Sequence, residues 1–166
     1  MPGLHGATVF FLGSFALTGW TGGTDIPVPD GFQELSQYAD LTGVLLEIKE
    51  AQEGFLDALE GVTDPAVIGM ACDSLGARFE AFTPVLHEAL GNHPELKAEL
   101  PEGVKSVLDP CIETFLAWDA FLNATVLPLA NERSDVEALQ TGFGRLNAAL
   151  FYMKYARDVM TLGRGG

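Results

Sequence analysis

Between Tyr38 and Val62 apolar side chains recur at alternating steps of three and four. The stripe reads Tyr38, Leu41, Leu45, Ile48, Phe55, Leu59 and Val62, interrupted once, by Gln52. A second stripe with the same period reads Val136, Leu139, Phe143, Leu146, Leu150, Met153 and Met160, interrupted by Arg157. Side chains at these steps share one face of a helix. Each segment must therefore bury a seam against partner helices. The two stripes share a period but not residues, so they are not a sequence repeat.

Two further helices complete the pattern. Asp64-Pro65 pairs a capping carboxylate with a proline at the first helical position, where no amide hydrogen is needed. The helix it starts has a core face of Ile68, Ala71, Leu75, Phe79, Phe82, Leu86 and Leu90, with Pro84 inside it and Gly91-Asn92 as its stop. Residues 93–107 read as a connection with one short helical turn. Asp109-Pro110 either starts the third helix or lies inside it. Its buried side is Cys111, Phe115, Trp118, Leu122 and Val126, and Pro128 is its expected end. Gly61 closes the first helix, which is expected to begin near Asp30. Ser134 and Glu137 have capping-box spacing for the fourth, expected to run to Leu162. Four striped helices joined by short or moderate links predict an all-α fold: a four-helix bundle, up-down-up-down, over residues 30–166.

Residues 1–29 fall outside that pattern. Ala7 to Gly13 is a short apolar run, followed by Ser14 and Ala16, small residues at the spacing a signal peptidase reads. Residues 1–6 carry no Lys or Arg, which an export signal usually has. The apolar stretch ends by Trp20, too short for a comfortable membrane span of roughly 20 residues. The segment reads as an export signal cleaved after Ala16, or as an extended strand packed on the bundle. An extracytoplasmic location follows from the first reading and a cytoplasmic one from the second. Thr21 to Pro29 is a linker by its glycines and prolines.

Charge narrows the function classes. Against 9 Lys and Arg stand 23 Asp and Glu, a formal net charge of −14 in 166 residues. So acidic a surface repels phosphate backbones and anionic membranes. It attracts a basic protein partner or cations. The cysteines Cys72 and Cys111 could pair in an oxidising compartment. However, helical register sets them on the order of 15 Å or more apart in a simple hairpin, against the roughly 7 Å limit between Cα atoms. Two buried free thiols are the alternative.

The chain offers little reactive chemistry. It has no Glu-x-x-His pair, no Cys-x-x-Cys, no Gly-x-Ser-x-Gly and no P-loop pattern. No metal or cofactor is expected, haem included, since Met153 and Met160 lie on the core stripe. One surface feature stands out. Glu50, Glu53, Asp57 and Glu60 step by three, four and three along the first helix, with Lys49 the one nearby cation in sequence. Like charges at these spacings repel by about 0.2–0.5 kcal/mol per pair. The stripe is a tolerated solvated face, a docking strip for a basic partner, or a weak calcium site. The expectation is a noncatalytic helical-bundle protein that binds another macromolecule. The alternatives are an inhibitor or immunity-type partner of a basic protein, and a carrier of a small ligand in the bundle interior.

Overall fold

A computed structural model describes residues 35–153. The N-terminal segment, the linker, Asp30, Arg157 and Met160 lie outside them. Among the described residues the fold is all-α, with no strand. Helix α1 spans Ala39–Leu59 and α2 spans Pro65–Asn92. A 3₁₀ turn, Pro94–Lys97, leads to α3, Glu102–Phe121. A π-helical turn, Leu122–Val126, joins α3 to α4, Leu127–Glu132, and α5 spans Glu137–Tyr152.

The punctuation of the first hairpin follows local chemistry. Gly61 takes a left-handed φ of +70°, which glycine adopts without a Cβ clash, and α1 ends there. Asp64 then caps α2: its Oδ1 accepts from the backbone N–H of Ala66 at 2.8 Å, with Pro65 in the first turn.

Besides Pro84 inside α2, two further prolines do not stop their helices. Pro110 lies inside α3, which starts earlier, at Glu102. Pro128, expected to end the third rod, sits inside a helix that continues to Glu132. The π turn lies just before it, where the Leu127 N–H donates to the Leu122 carbonyl five residues back. A widened turn gives the proline ring room against the preceding carbonyls, which an α-turn would deny it.

The capping box at Ser134 and Glu137 does not form. Val136 occupies the cap position of α5 and makes no side-chain cap. Asp135 is held instead by Arg133, whose Nε and Nη2 donate at 3.1 and 3.2 Å. Gln140 ties the two helices together, its Nε2 donating to the Ala130 carbonyl at 2.7 Å.

Side-chain contacts set the directions. The start of α1 meets the end of α2, where Asp40 bonds Asn92 and His93, so these two are antiparallel. Along α1 and α3, Leu45 meets Cys111 and Phe55 meets Trp118 and Phe121, which is a parallel pairing. Along α2 and α5, Gly69 faces Leu139 and Gly76 faces Leu146, also parallel. The helices thus alternate up-down-up-down in chain order, while two of the packed pairs join helices that are not consecutive. The connection through residues 93–101 is long enough to cross the end of the bundle, which makes this arrangement reachable.

The core follows the stripes. Leu41, Leu45, Ile48, Phe55 and Leu59 are buried on α1, and Ile68, Leu75, Phe79, Leu86 and Leu90 on α2. At the centre the fully buried Trp118 meets Phe79, Phe115 and Phe55, with ring centroids 5.6, 5.8 and 6.5 Å away. Burying a side chain of Leu or Phe size contributes about 1.5–3 kcal/mol. These rings therefore anchor three helices at one level.

On α5 the buried line is Leu139, Gly142, Leu146, Ala149 and Met153, and Phe143 and Leu150 are only half-buried. The seam is rotated from the apolar stripe toward the small residues. They let α2 come close: a Cβ on Gly69 would collide with the backbone of Ala138 and Leu139, and one on Gly142 with the Gly69 carbonyl. On α2, Gly69, Cys72 and Gly76 form a second buried line facing α5, beside the predicted core face.

Candidate functional site

The α1 residues Ala51, Gly54, Phe55 and Ala58 face Ala71, Ser74, Leu75 and Arg78 of α2 across an open groove of about 270 Å³. The groove exists because small residues recur on both walls. Ala51, Gly54 and Ala58 step by three and four, so all three project from one side of α1. Phe55 and Leu75, both buried, form its floor. Phe55 is also the edge-on neighbour of Trp118, so the floor is continuous with the aromatic core.

No carboxylate lines this groove, but three lie beside its α1 wall by helical spacing. Glu50 and Asp57 are exposed and lie four residues before and three after Gly54, beside it on the helix surface. Glu47, also exposed, lies one turn before Ala51. Among the described residues none of these three has an ion-pair partner. On the opposite wall Arg78 is exposed, its guanidinium 5.6 Å from the Phe82 ring centroid in a cation–π contact.

The structure divides the acidic stripe read from the sequence. Glu50 and Asp57 lie beside the α1 wall of the groove. Glu53 turns the other way, toward α3, where Lys49 pairs with it and the Thr114 hydroxyl donates to its Oε1 at 3.4 Å. Glu60 follows the last residue of α1 as its C-terminal cap residue, and its backbone N–H donates to the Asp57 carbonyl. The four carboxylates do not converge. Among the described residues no group of three His, Cys, Asp or Glu side chains is placed to hold a metal ion.

Cys72 and Cys111 are both buried free thiols. Burial pushes the Cys72 thiol up to about 12. Burial also raises Cys111, with Lys49 pulling it down and Glu53 pushing it up. The Cys111 thiol lies level with Leu45, whose carbonyl it approaches at 3.6 Å. Cys72 lies 20 residues before Asn92, which meets Asp40 at the start of α1, so in the antiparallel pair it sits near the far end of α1, about the level of Ala58. Leu45 and Ala58 are roughly 20 Å apart along α1 at a rise of about 1.5 Å per residue. The two thiols thus occupy different levels of the bundle, well beyond the reach of one disulfide.

A second polar cluster joins the first turn of α1 to the end of α2. His93 Nε2 lies 2.7 Å from Asp40 Oδ1, and Asn92 donates to Asp40 Oδ2 at 3.2 Å. Glu95 approaches the other ring nitrogen at 3.4 Å, and the Tyr38 ring packs edge-on against the imidazole at 4.8 Å. Burial alone would raise the Asp40 carboxyl. The hydrogen bonds from His93, Asn92 and the Leu41 backbone, with the attraction of His93, outweigh that and hold it below its ordinary value. These contacts pin the entry of α1 to the connection after α2.

Neither the groove nor the clasp was legible in the sequence. The spacing of Ala51, Gly54 and Ala58 was the available signal for the groove, but small residues at helical spacing serve equally well inside a core. Asp40 and His93 lie 53 positions apart, and only the fold brings them together.

No known protein family model matches this chain, and neither a curated protein nor a solved structure is significantly similar to it. No helix among the described residues is long and apolar enough to cross a membrane.

Proposed function

We propose that this protein is a noncatalytic binding module whose α1 face docks a basic macromolecular partner. One observation carries the reading. The exposed Glu47, Glu50 and Asp57 lie three or four residues from Ala51 or Gly54, which line an apolar groove, and have no cation partner among the described residues, on a chain of net charge −14. A basic protein approaching this face gains Coulomb attraction at long range and apolar contact at short range. The free protein bears the repulsion among these carboxylates, which a cationic partner relieves.

The test is affinity capture from the native source at low salt and at about 0.5 M salt, where screening acts within roughly 4 Å. The wild type is compared with an E50Q/D57Q double variant and with E53Q, whose carboxylate already has Lys49 and Thr114. The expected result is a basic partner lost at high salt, lost in the double variant and retained by E53Q. Retention of the same partner by the double variant, with the same salt sensitivity, overturns the reading.

A further inference from the structure

We infer that the element of the partner seated in the α1–α2 groove is an amphipathic α-helix, with Lys or Arg along the flank that lies over α1. This inference rests on the docking role proposed for the α1 face and adds what docks there.

The groove is a furrow between two antiparallel helices with small residues on both walls, and such a furrow admits a third helix packed by its apolar side. Ala51 to Ala58 covers about 10 Å at helical rise. The exposed Val67 and Met70, one turn before Ala71 and Ser74, carry the apolar surface further along α2. Together they match about three turns of helix. Met70 is a flexible apolar side chain of the kind that adapts to a partner surface. Pairing with a strand is not available, since the described residues offer no sheet edge.

Gly54 keeps the groove open. A glycine in a helix interior costs roughly 0.5–1 kcal/mol relative to alanine. Gly69, Gly76 and Gly142 have a packing reason for lacking a Cβ, because α2 and α5 touch there. Gly54, like Gly43 in α1 and Gly144 in α5, has none within the described fold: a Cβ placed on it meets nothing within 4 Å. The space above it is open and lies in the groove.

Charge selects the occupant. Glu47, Glu50 and Asp57 lie one helical step outside the α1 wall, so the flank of the partner helix over α1 is basic. Arg78 on the other wall favours an acidic or polar residue opposite it, which fixes how the helix is rotated about its axis. A second copy of this chain would bring another net charge of −14 to the same face, so self-association does not satisfy it.

The experiment uses isotopically labelled full-length protein and a synthetic 18-residue peptide, with Leu and Ala on one helical face and Lys on its flanks. A scrambled peptide of the same composition, lacking helical periodicity, is the control. The patterned peptide should shift the amide signals of Ala51, Gly54, Ala58, Ala71 and Ser74, and should bind at least tenfold more tightly than the control. G54L projects into the groove from a position where an added Cβ meets nothing within 4 Å, and it should weaken binding at least tenfold while thermal unfolding stays cooperative. A58Q, at a second exposed position, gives the same readout should G54L unfold. Equal binding of both peptides, signal shifts confined to another face, or full affinity in the groove-filling variants overturns the helix assignment. Binding lost in E50Q/D57Q but kept in G54L and A58Q would leave the acidic face as a docking surface and remove the helical seat. Binding unaffected by any of these changes would remove both.

Discussion

The backbone of Gly142 in α5 packs directly on the carbonyl of Gly69 in α2, with no room for a Cβ on either residue. This contact sets how closely the two parallel helices approach. Gly76 continues it one level along, where an added Cβ would come within 3.1 Å of the Arg145 side chain and the Leu146 backbone nitrogen.

Substitutions at the two kinds of glycine should therefore have opposite signs. G142A and G69A must push α2 and α5 apart, and each should destabilise by about 1–3 kcal/mol, the usual cost of overpacking. G54A should stabilise by about 0.5–1 kcal/mol through helix propensity alone. Urea denaturation followed by circular dichroism measures all three. A neutral G142A would show that the α2–α5 contact is looser than described.

Trp118 is fully buried, and its indole N–H has no hydrogen-bond partner among the described residues. An unmatched buried donor costs about 1–3 kcal/mol. W118F removes that cost while leaving a smaller ring in the same aromatic cage, so its net effect should be small, about 1–2 kcal/mol. W118A should cost about 3–5 kcal/mol, because the cavity remains. Should W118F prove as damaging as W118A, the indole N–H is satisfied by an internal water.

The two thiols should be silent in the folded protein. Burial disfavours the thiolate, and Cys72 is pushed up to about 12 from 9.0. Iodoacetamide at pH 8 should label neither cysteine in native protein and both in denaturant, as read by mass spectrometry. The sign for stability follows from linkage. The folded state keeps its proton while the unfolded state loses it, so stability falls as pH rises between about 9 and 12. C72A should flatten that alkaline limb.

Asp40 gives the opposite slope. Its folded carboxyl lies below the ordinary 3.8, so its contribution is present above that value and disappears as pH falls through the lower folded one. D40N should cost about 1 kcal/mol near neutral pH, a charge-assisted hydrogen bond discounted for its half-exposed setting. The gap between wild type and D40N should close on acidification below about pH 4. A constant gap across the acid range would mean that packing against Tyr38 and His93, not charge, carries the effect.

The α1 stripe was readable residue by residue. Tyr38, Leu41, Leu45, Ile48, Phe55 and Leu59 are buried as their spacing required, and Gln52, the polar interruption, is buried with them. The α5 stripe was readable only in part. Leu139, Leu146 and Met153 are buried, but Phe143 and Leu150 yield the centre of the seam to Gly142 and Ala149. Hydrophobicity marks which face turns inward, whereas the closeness of the neighbouring backbone decides which residue sits at the middle. The acidic stripe shows the same division. Its spacing was correct, yet Glu53 belongs to the α3 side and Glu50 and Asp57 to the groove, because the helix they share lies between two partners.

By itself the chain determined its rods, several of their ends and its charge. Apolar period, Gly61, Asp64-Pro65 and the excess of carboxylates act over a few residues or over the whole composition, and neither depends on what packs against what. The tertiary structure alone decided that α1 runs beside α3 and α2 beside α5, that Pro128 is absorbed by a widened turn, and that a groove opens beside Glu50 and Asp57. These follow from complementarity between surfaces distant in sequence. Where two backbones meet without Cβ atoms they close together, and where small residues face open space they leave a furrow.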